Sequence, residues 1–312
     1  MKKDVVRFGK SLLVVVVLLV AGDIAVGTIA DHVAGNLPVP NAHNLDAKEC
    51  YVLHQMNDEI VLLGSSRGHH HYVTSVLNDS IDAFFGEHHT LYNAAIVGQF
   101  ASSNSCVAEV ILERYRPMLV VFDLSEDWLC TDRGGNPKLA APFYWKDTVV
   151  RRYIDSKISA KDKVLMKSSL YRYNSHLLPL LSCFLRSSST DGGYLPIYGS
   201  FMDTTAAPSA SATAEPLDKD ITANVERVME LYKEAGVPLV VVCSPKFRSA
   251  DSNRRLKALC DVHDVPFIDL MDTPYFNAHP ELFKDLTHLN DDGAQIFTAM
   301  FFESLKPYLS TL

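Results

Sequence analysis

The chain has 312 residues, of which 47% are hydrophobic and 21% are charged. These proportions are typical of a folded globular protein and exclude a disordered or fibrous chain. Acidic residues outnumber basic ones by 37 to 29, which gives a formal net charge of −8. Because phosphate binding needs a basic surface, this balance excludes nucleic acid as the main partner.

The N-terminus combines basic charge with a long apolar run. Four basic residues open the chain, namely Lys2, Lys3, Arg7 and Lys10. The run SLLVVVVLLVAG occupies residues 11–22, and apolar character resumes after Asp23. About 20 such residues can span a bilayer, and the positive-inside rule keeps the basic end in the cytoplasm. We therefore predict that residues 1–30 are a single-pass anchor crossing the membrane through residues 11–30, with the rest of the chain extracytoplasmic. A cleaved signal sequence is the alternative, since small residues at 25–27 permit cleavage.

The cysteines and histidines do not predict a metal site. None of the six cysteines has CxxC spacing, which favours buried free thiols over zinc or redox chemistry. His69, His70 and His71 are consecutive, and successive helical residues point about 100° apart, so they cannot converge on one ion. We predict that they form a solvated helix start and that the protein needs no metal or organic cofactor.

Apolar runs and helix-length segments alternate along most of the chain. The runs suit strands buried on both faces of a parallel sheet, and they lie at 59–64, 90–97, 117–124, 237–243 and 265–270. The predicted helices lie at 72–85, 101–116, 218–236, 252–263 and 291–306. This alternation predicts a three-layer, doubly wound α/β fold with a mostly parallel sheet of strand order 2-1-3-4-5.

The alternation of predicted strands and helices is interrupted once, at about residues 128–217. We predict that this segment is a mostly helical insertion or lid, ending in a linker or mobile loop of small residues at 203–216. Residues 31–50 are predicted to link the anchor to the globular domain, which would then span 51–312.

Two segments near predicted strand ends carry residues suited to catalysis. Ligands of doubly wound folds bind at the carboxyl ends of the strands. Gly64-Ser65-Ser66-Arg67 follows the first strand and precedes a helix, where a serine is either a nucleophile beside free N–H groups or merely an N-cap. Asp285 and His288 precede the last helix, where a carboxylate can orient an imidazole as a general base, or both can form a capping cluster.

These segments, in this order, resemble the SGNH/GDSL hydrolase superfamily over about residues 55–127 and 218–306. The resemblance implies a flavodoxin-like fold and a covalent mechanism in which Ser66 is the nucleophile and Asp285 and His288 complete the triad. Residues 92–98 are similar to the second block of the family, whose glycine donates a backbone N–H to the oxyanion. That likeness assigns Gly98.

The third block departs from the family pattern. Where the family has an Asn that donates to the oxyanion, this chain has Ser125-Glu126-Asp127. Ser125 is the candidate replacement donor, whereas the two acids would repel an oxyanion that they faced. Arg67 is expected either to pack and form a salt bridge or to bind a substrate anion.

The resemblance implies a membrane-anchored serine esterase or acyltransferase of the cell-envelope type. Its partner would be an acylated carbohydrate or another small ester. The alternative is a catalytically weak SGNH-like module that binds envelope glycans or scaffolds a complex. The sequence leaves the oligomeric state open.

Overall fold

The structure is a computed structural model that describes residues 2–130, 135–186, 188–200 and 215–312. Within these ranges one helix, at Val5–Ala34, is long and apolar enough to cross a membrane, with a mean hydropathy of 2.7. A signal sequence meets the same requirement.

A five-stranded, wholly parallel sheet forms the centre of the fold. The strands are β1 (Ile60–Leu63), β2 (Leu91–Asn93), β3 (Leu119–Asp123), β4 (Leu239–Cys243) and β5 (Phe267–Asp269). Their spatial order is β2-β1-β3-β4-β5, and every neighbouring pair is parallel. The predicted α/β class and strand order are therefore confirmed.

Helices cover both faces of the sheet. In chain order they are α1 (Lys2–Ala34), α2 (Leu45–His54), α3 (Ser66–His71), α4 (Thr74–Phe85), α5 (Ala101–Arg114), α6 (Asp127–Cys130), α7 (Thr148–Lys157), α8 (Ala160–Leu165), α9 (Ser169–Tyr173), α10 (Leu177–Phe184), α11 (Lys219–Ala235), α12 (Arg254–Val262), α13 (Pro274–Ala278) and α14 (Asp291–Leu309), with short 3₁₀ helices at Pro137–Phe143 and Pro280–Leu282. Side chains of α2, α5, α11 and α12 share one core with one face of the sheet. Those of α4, α13 and α14 share a second core with the other face. Strands buried on both faces explain why the runs are continuously apolar.

Residues 31–50 do not form the predicted linker. The first helix continues to Ala34, and Ala30, Val33 and Ala34 are buried in the same core as α2. Seven consecutive residues of α2, from Ala47 to Leu53, are buried. The N-terminal helix is thus continuous with the globular domain.

The insertion is helical, but its helices pack beside the sheet. Helices α7, α9 and α10 and the first 3₁₀ helix each contact α1, α2 or α5, and the 3₁₀ helix also contacts α7 and α9. Its later part, around residues 191–198, approaches the carboxyl ends of the strands, where Leu195 N–H donates to the carbonyl of His69. The predicted small-residue linker lies, at 203–214, outside the described residues.

Candidate active site

Ser66 lies at the carboxyl end of β1, in the turn into α3. Gly64 permits this turn, since a Cβ there would lie 3.2 Å from both Asp123 Cβ and Gly68 Cα. Ser66 is the first residue of α3, so its backbone N–H has no partner within the helix. The preceding Ser65 is buried and makes no side-chain capping bond. The turn therefore presents a partly exposed serine beside unpaired backbone donors.

A continuous chain of hydrogen bonds joins Ser66, His288 and Asp285. The Oγ of Ser66 lies 2.8 Å from His288 Nε2. On the other side of the ring, Nδ1 lies 2.9 and 3.0 Å from the two carboxylate oxygens of Asp285. A carboxylate only accepts, so Nδ1 carries the proton and Nε2 is left to accept from the serine hydroxyl. This is the arrangement of a nucleophile, a general base and an orienting carboxylate.

Asp285 is held ionised and in place by its own loop. The N–H groups of Thr287 and His288 donate to Asp285 Oδ1 at 2.8 and 2.9 Å. Partial burial opposes ionisation, but the hydrogen bonds from His288 and Thr287 together hold the pKa of Asp285 well below its usual range. The carboxylate is therefore charged at any pH near neutrality.

His70 and His71, which the sequence predicted to be solvated, are instead buried beside His288. Their rings lie 6.0 and 6.4 Å from the His288 ring, centre to centre. The N–H of Leu289 donates to His71 Nε2 at 3.0 Å, which fixes the residue directly after His288. Burial lowers the pKa of His70 to about 4 and that of His71 well below its usual range. Both rings are thus neutral, so they add no positive charge beside an imidazole that must become cationic.

Gly98 lies in the loop after β2, which packs against α3. The N–H of Ile96 donates to the carbonyl of Gly64 at 3.2 Å, and Asn93 Nδ2 donates to the carbonyl of Gly68 at 2.8 Å. Gly98 has φ +78°, in the left-handed region that favours glycine. Among the described residues its N–H meets no acceptor. The loop therefore carries one backbone donor, at Gly98, that is unpaired within the described residues.

A buried lysine that the sequence gave no reason to single out supports this loop. Lys48 of α2 is fully buried, and its Nζ lies 2.6 Å from Ala95 O, 2.8 Å from Gly193 O and 2.9 Å from His69 Nδ1. Burial lowers the pKa of Lys48 well below its usual range, against the opposing charges of Asp191 and Glu49. Lys48 thus ties the Gly98 loop, the insertion and α3 together.

Arg67 and Ser125 point into the protein rather than toward an incoming ligand. Arg67 is 3% exposed, and its guanidinium donates to Ser244 O at 2.9 Å and to Ser125 Oγ at 2.7 Å. It also lies 3.7 Å from Asp123. Ser125 is fully buried and donates its single hydroxyl proton to Asp127. That proton is therefore not directed at an oxyanion. Of the two roles predicted for Arg67, the structure favours packing with a salt bridge over binding of a substrate anion.

The two acids of the third block are bound by cations. Glu126 Oε1 accepts from Arg255 Nε at 2.7 Å, and its other oxygen accepts the backbone N–H of Arg255 at 2.7 Å. Asp127 lies 3.1 Å from Lys246 Nζ, and both side chains are buried. The charges that would oppose an oxyanion are thus locally neutralised by residues more than 100 positions away. Within the described residues, no group of three or more His, Cys, Asp or Glu is arranged to hold a metal ion.

No protein-family model matches the sequence, and neither does any curated protein. Among solved structures, the chain is similar to a provisionally assigned acylhydrolase from Bacteroides fragilis, with 13% identity, a TM-score of 0.34, and coverage of 88% of this chain and 93% of that one. It is also similar to the acetyl xylan esterase AlAXEase, with 12% identity, a TM-score of 0.41, and coverage of 79% and 99%.

A third similar structure is a GDSL-like lipase from Bacteroides thetaiotaomicron. The identity is 12%, the TM-score is 0.34, and the alignment covers 80% of this chain and 88% of that one. All three proteins are distant in sequence and in backbone superposition.

Proposed function

We propose that the protein is a serine esterase or acyltransferase acting on acyl esters, with Ser66 as nucleophile, His288 as general base and Asp285 as its orienting carboxylate. The observation that carries this proposal is the unbroken hydrogen-bond chain from Asp285 through His288 to Ser66. The distance from Ser66 Oγ to His288 Nε2 allows direct proton transfer, and the distance from His288 Nδ1 to Asp285 allows the carboxylate to orient the ring.

The first half-reaction transfers the acyl group to the enzyme. As the Oγ of Ser66 attacks the ester carbonyl carbon, His288 Nε2 takes the hydroxyl proton, and the carbonyl electron pair moves to its oxygen. When this oxyanion collapses, the bond to the alcohol breaks and His288 returns the proton to the leaving oxygen. The charge on Asp285 stabilises the transient imidazolium.

The second half-reaction removes the acyl group from Ser66. His288 deprotonates an incoming water or hydroxyl, which attacks the acyl-serine carbonyl, and the proton returns to Ser66 as the bond breaks. Water gives hydrolysis, and a sugar hydroxyl gives transfer.

The oxyanion hole in this proposal consists of backbone donors. The N–H groups of Ser66 and Gly98 are unpaired within the described residues and belong to adjoining segments. One such donor contributes about 3–4 kcal/mol in the transition state. Neutralisation of Glu126 and Asp127 removes the repulsion that would cancel this gain.

We place the catalytic domain outside the cytoplasm, on a single-pass anchor formed by α1. Four Lys or Arg residues precede the apolar part of the helix, and neither Lys nor Arg follows within it as far as Ala34. The site is open, since the Asp285 side chain is 53% exposed. An open polar site suits a bulky hydrophilic alcohol, and we propose acylated envelope carbohydrate as the substrate class.

Kinetics of adjacent serine variants test this proposal. Ser66→Ala should lower kcat/KM for a short-chain aryl ester by about 10³-fold or more. The matched control is Ser65→Ala, because Ser65 is the neighbouring residue and is buried, and its Oγ has no hydrogen-bond partner among the described residues. Equal activity in the wild type and the Ser66 variant would instead favour the glycan-binding module.

A further inference from the structure

The N-terminal helix changes character at Asp23. From Val5 to Ala21 the described side chains are exposed on all sides. Beyond Asp23 one face is buried, at Gly27, Ala30, Val33 and Ala34, in the i, i+3, i+7 pattern of a docked helix. The same helix is therefore free at its start and fixed to the globular domain at its end.

Asp23 is the first point of attachment. Its carboxylate accepts from Ser168 Oγ at 2.6 Å and from the N–H groups of Ser169 and Leu170 at 3.1 and 2.8 Å. One turn later, a Cβ at Gly27 would clash with the Ser169 side chain, so only glycine permits this approach. Asp31 then accepts from Tyr173 Oη and pairs with Lys146 at 2.9 Å. These contacts fix the start of α9 at the level of Asp23.

The length of the apolar segment fixes the depth of this attachment. Residues 11–22, between Lys10 and Asp23, make only about 18 Å of helix at about 1.5 Å per residue. The hydrocarbon core is about 30 Å thick. Lys10 can snorkel toward the cytoplasmic side, but the outer edge of the bilayer still reaches the level of Asp23 and α9. A carboxylate at this depth is costly unless it is hydrogen-bonded, as Asp23 is.

The residues around this attachment have the composition of a lipid-facing surface. Trp145, Val164, Leu165 and Leu170 are 48%, 61%, 37% and 45% exposed; we call these four the apolar rim. Trp145 Nε1 donates to Met166 O at 2.9 Å, which joins its ring to the α8–α9 segment. Exposed lysines at 161 and 167 flank the rim. Tryptophan, aliphatic side chains and lysine together are typical of a membrane interface.

We propose that the apolar rim is embedded in the outer headgroup layer of the same bilayer that α1 crosses. The insertion is then a membrane-docked platform, and the triad is held at a fixed height above the lipid. This inference rests on the proposed anchor. It also implies that α1 is retained, since cleavage near residues 25–27 would remove Asp23 and its three hydrogen bonds.

Tryptophan quenching in lipid vesicles tests the proposal, because the chain has two tryptophans and Trp128 is buried. The full-length protein is reconstituted in phosphatidylcholine vesicles with acyl chains brominated near the headgroup, and in unbrominated vesicles. Wild-type emission should be about twofold lower in the brominated vesicles, since the rim reaches the acyl boundary. Trp145→Phe should abolish most of this difference.

A second variant provides a matched exposed position. Val262 is 76% exposed on α12, outside the rim. Combined with Trp145→Phe, Val262→Trp should give emission that brominated lipid leaves unchanged and aqueous iodide quenches. Flotation reports the anchor separately: protein that does not float with vesicles overturns the anchor and the rim together. Protein that floats but shows equal Trp145 emission in both lipids overturns the rim alone, and esterase activity of the same samples reports the triad independently.

Discussion

Ser125 is the residue at which the structure most changes the expected chemistry. Its hydroxyl accepts from Arg67 and donates to Asp127 inside the protein, so it links two buried charges. Such a link stabilises the fold but gives no donor to a substrate.

Replacement of Ser125 therefore distinguishes a structural role in the buried hydrogen bonds from a catalytic role as oxyanion donor. Ser125→Ala should change kcat by less than about threefold while lowering the free energy of unfolding by about 1–3 kcal/mol, since buried charged partners lose a hydrogen bond. Aryl-ester kinetics and urea unfolding measure the two effects. Ser244→Ala is the control, because that buried hydroxyl has no hydrogen-bond partner in the part of the chain that the structure describes. A loss of tenfold or more in kcat at unchanged stability would restore Ser125 as an oxyanion donor.

The buried histidines beside the site make stability depend on pH. The pKa of His70 is about 4 in the folded chain against an ordinary value of 6.5, because of burial. Between these values the unfolded chain binds a proton that the folded chain does not, so the free energy of unfolding falls as the pH falls.

His70→Gln should reduce by about one the difference in bound protons between the unfolded and the folded chain. The slope of unfolding free energy against pH, measured with urea between about pH 4.5 and 6, should then decrease by about 1.4 kcal/mol per pH unit. His88→Gln is the control, because the hydrogen bond to Asp82 raises the pKa of His88, so this ring is protonated in the folded and the unfolded chain below pH 6 and its removal should leave the slope nearly unchanged. An unchanged slope in His70→Gln would mean that His70 is protonated in the folded protein.

At the scale of single elements, the loop after β2 carries the left-handed glycine that we propose as the second oxyanion donor. Gly98 has φ +78° with no atom within 4 Å of a Cβ, and Gly86, which ends α4, has φ +76° with the same open surroundings. A substitution would therefore cause the same backbone strain at either glycine, but only Gly98 lies in the loop proposed to bind the oxyanion.

Alanine at each position tests the role of the loop. Gly98→Ala and Gly86→Ala should each cost about 1–2 kcal/mol of stability, because alanine disfavours the left-handed region. Only Gly98→Ala should also lower kcat, by about tenfold or more, as the loop shifts its N–H. Thermal unfolding and ester kinetics measure both. Equal activity losses in the two variants would mean that strain alone, and not the oxyanion, is responsible.

The elements differ in how well their sequence predicts them. The five strands lie within the predicted apolar runs. Strands β1 to β4 are buried along their whole length, which leaves a continuous apolar signal, whereas the edge strand β5 is partly exposed. Helix α2 was missed because its buried face includes Lys48 and Glu49, which read as solvent-facing residues. Burial raises the pKa of Glu49 to about 7, which shows how far its environment departs from water.

The residues of the candidate site also differ in how well the sequence predicts them. Ser66, Asp285 and His288 lie in short motifs at or just before the start of a helix, where their residue types carry a chemical meaning. Lys48 acts through contacts with Ala95 and Gly193, the second of which is 145 positions away. No local pattern reports contacts of that range, so only the fold reveals them.

At the scale of the whole molecule, the parallel sheet brings the carboxyl ends of all five strands to one edge, and α14 follows the loop that carries His288. This arrangement unites Ser66 and His288, which are 222 positions apart. The two ends of the chain pack on opposite faces of the sheet: the docked part of the N-terminal helix belongs to one core and α14 to the other.

Covalent labelling with a fluorophosphonate tests the central claim most directly, because the reagent captures only an activated serine. The wild type and Ser65→Ala should each gain one adduct, assigned to Ser66 by peptide mass spectrometry, and Ser66→Ala should gain none. His288→Ala should react at least about 10²-fold more slowly, since the general base is lost. A folded wild-type protein that stays unlabelled, or an adduct that persists in Ser66→Ala, would contradict the proposed nucleophile.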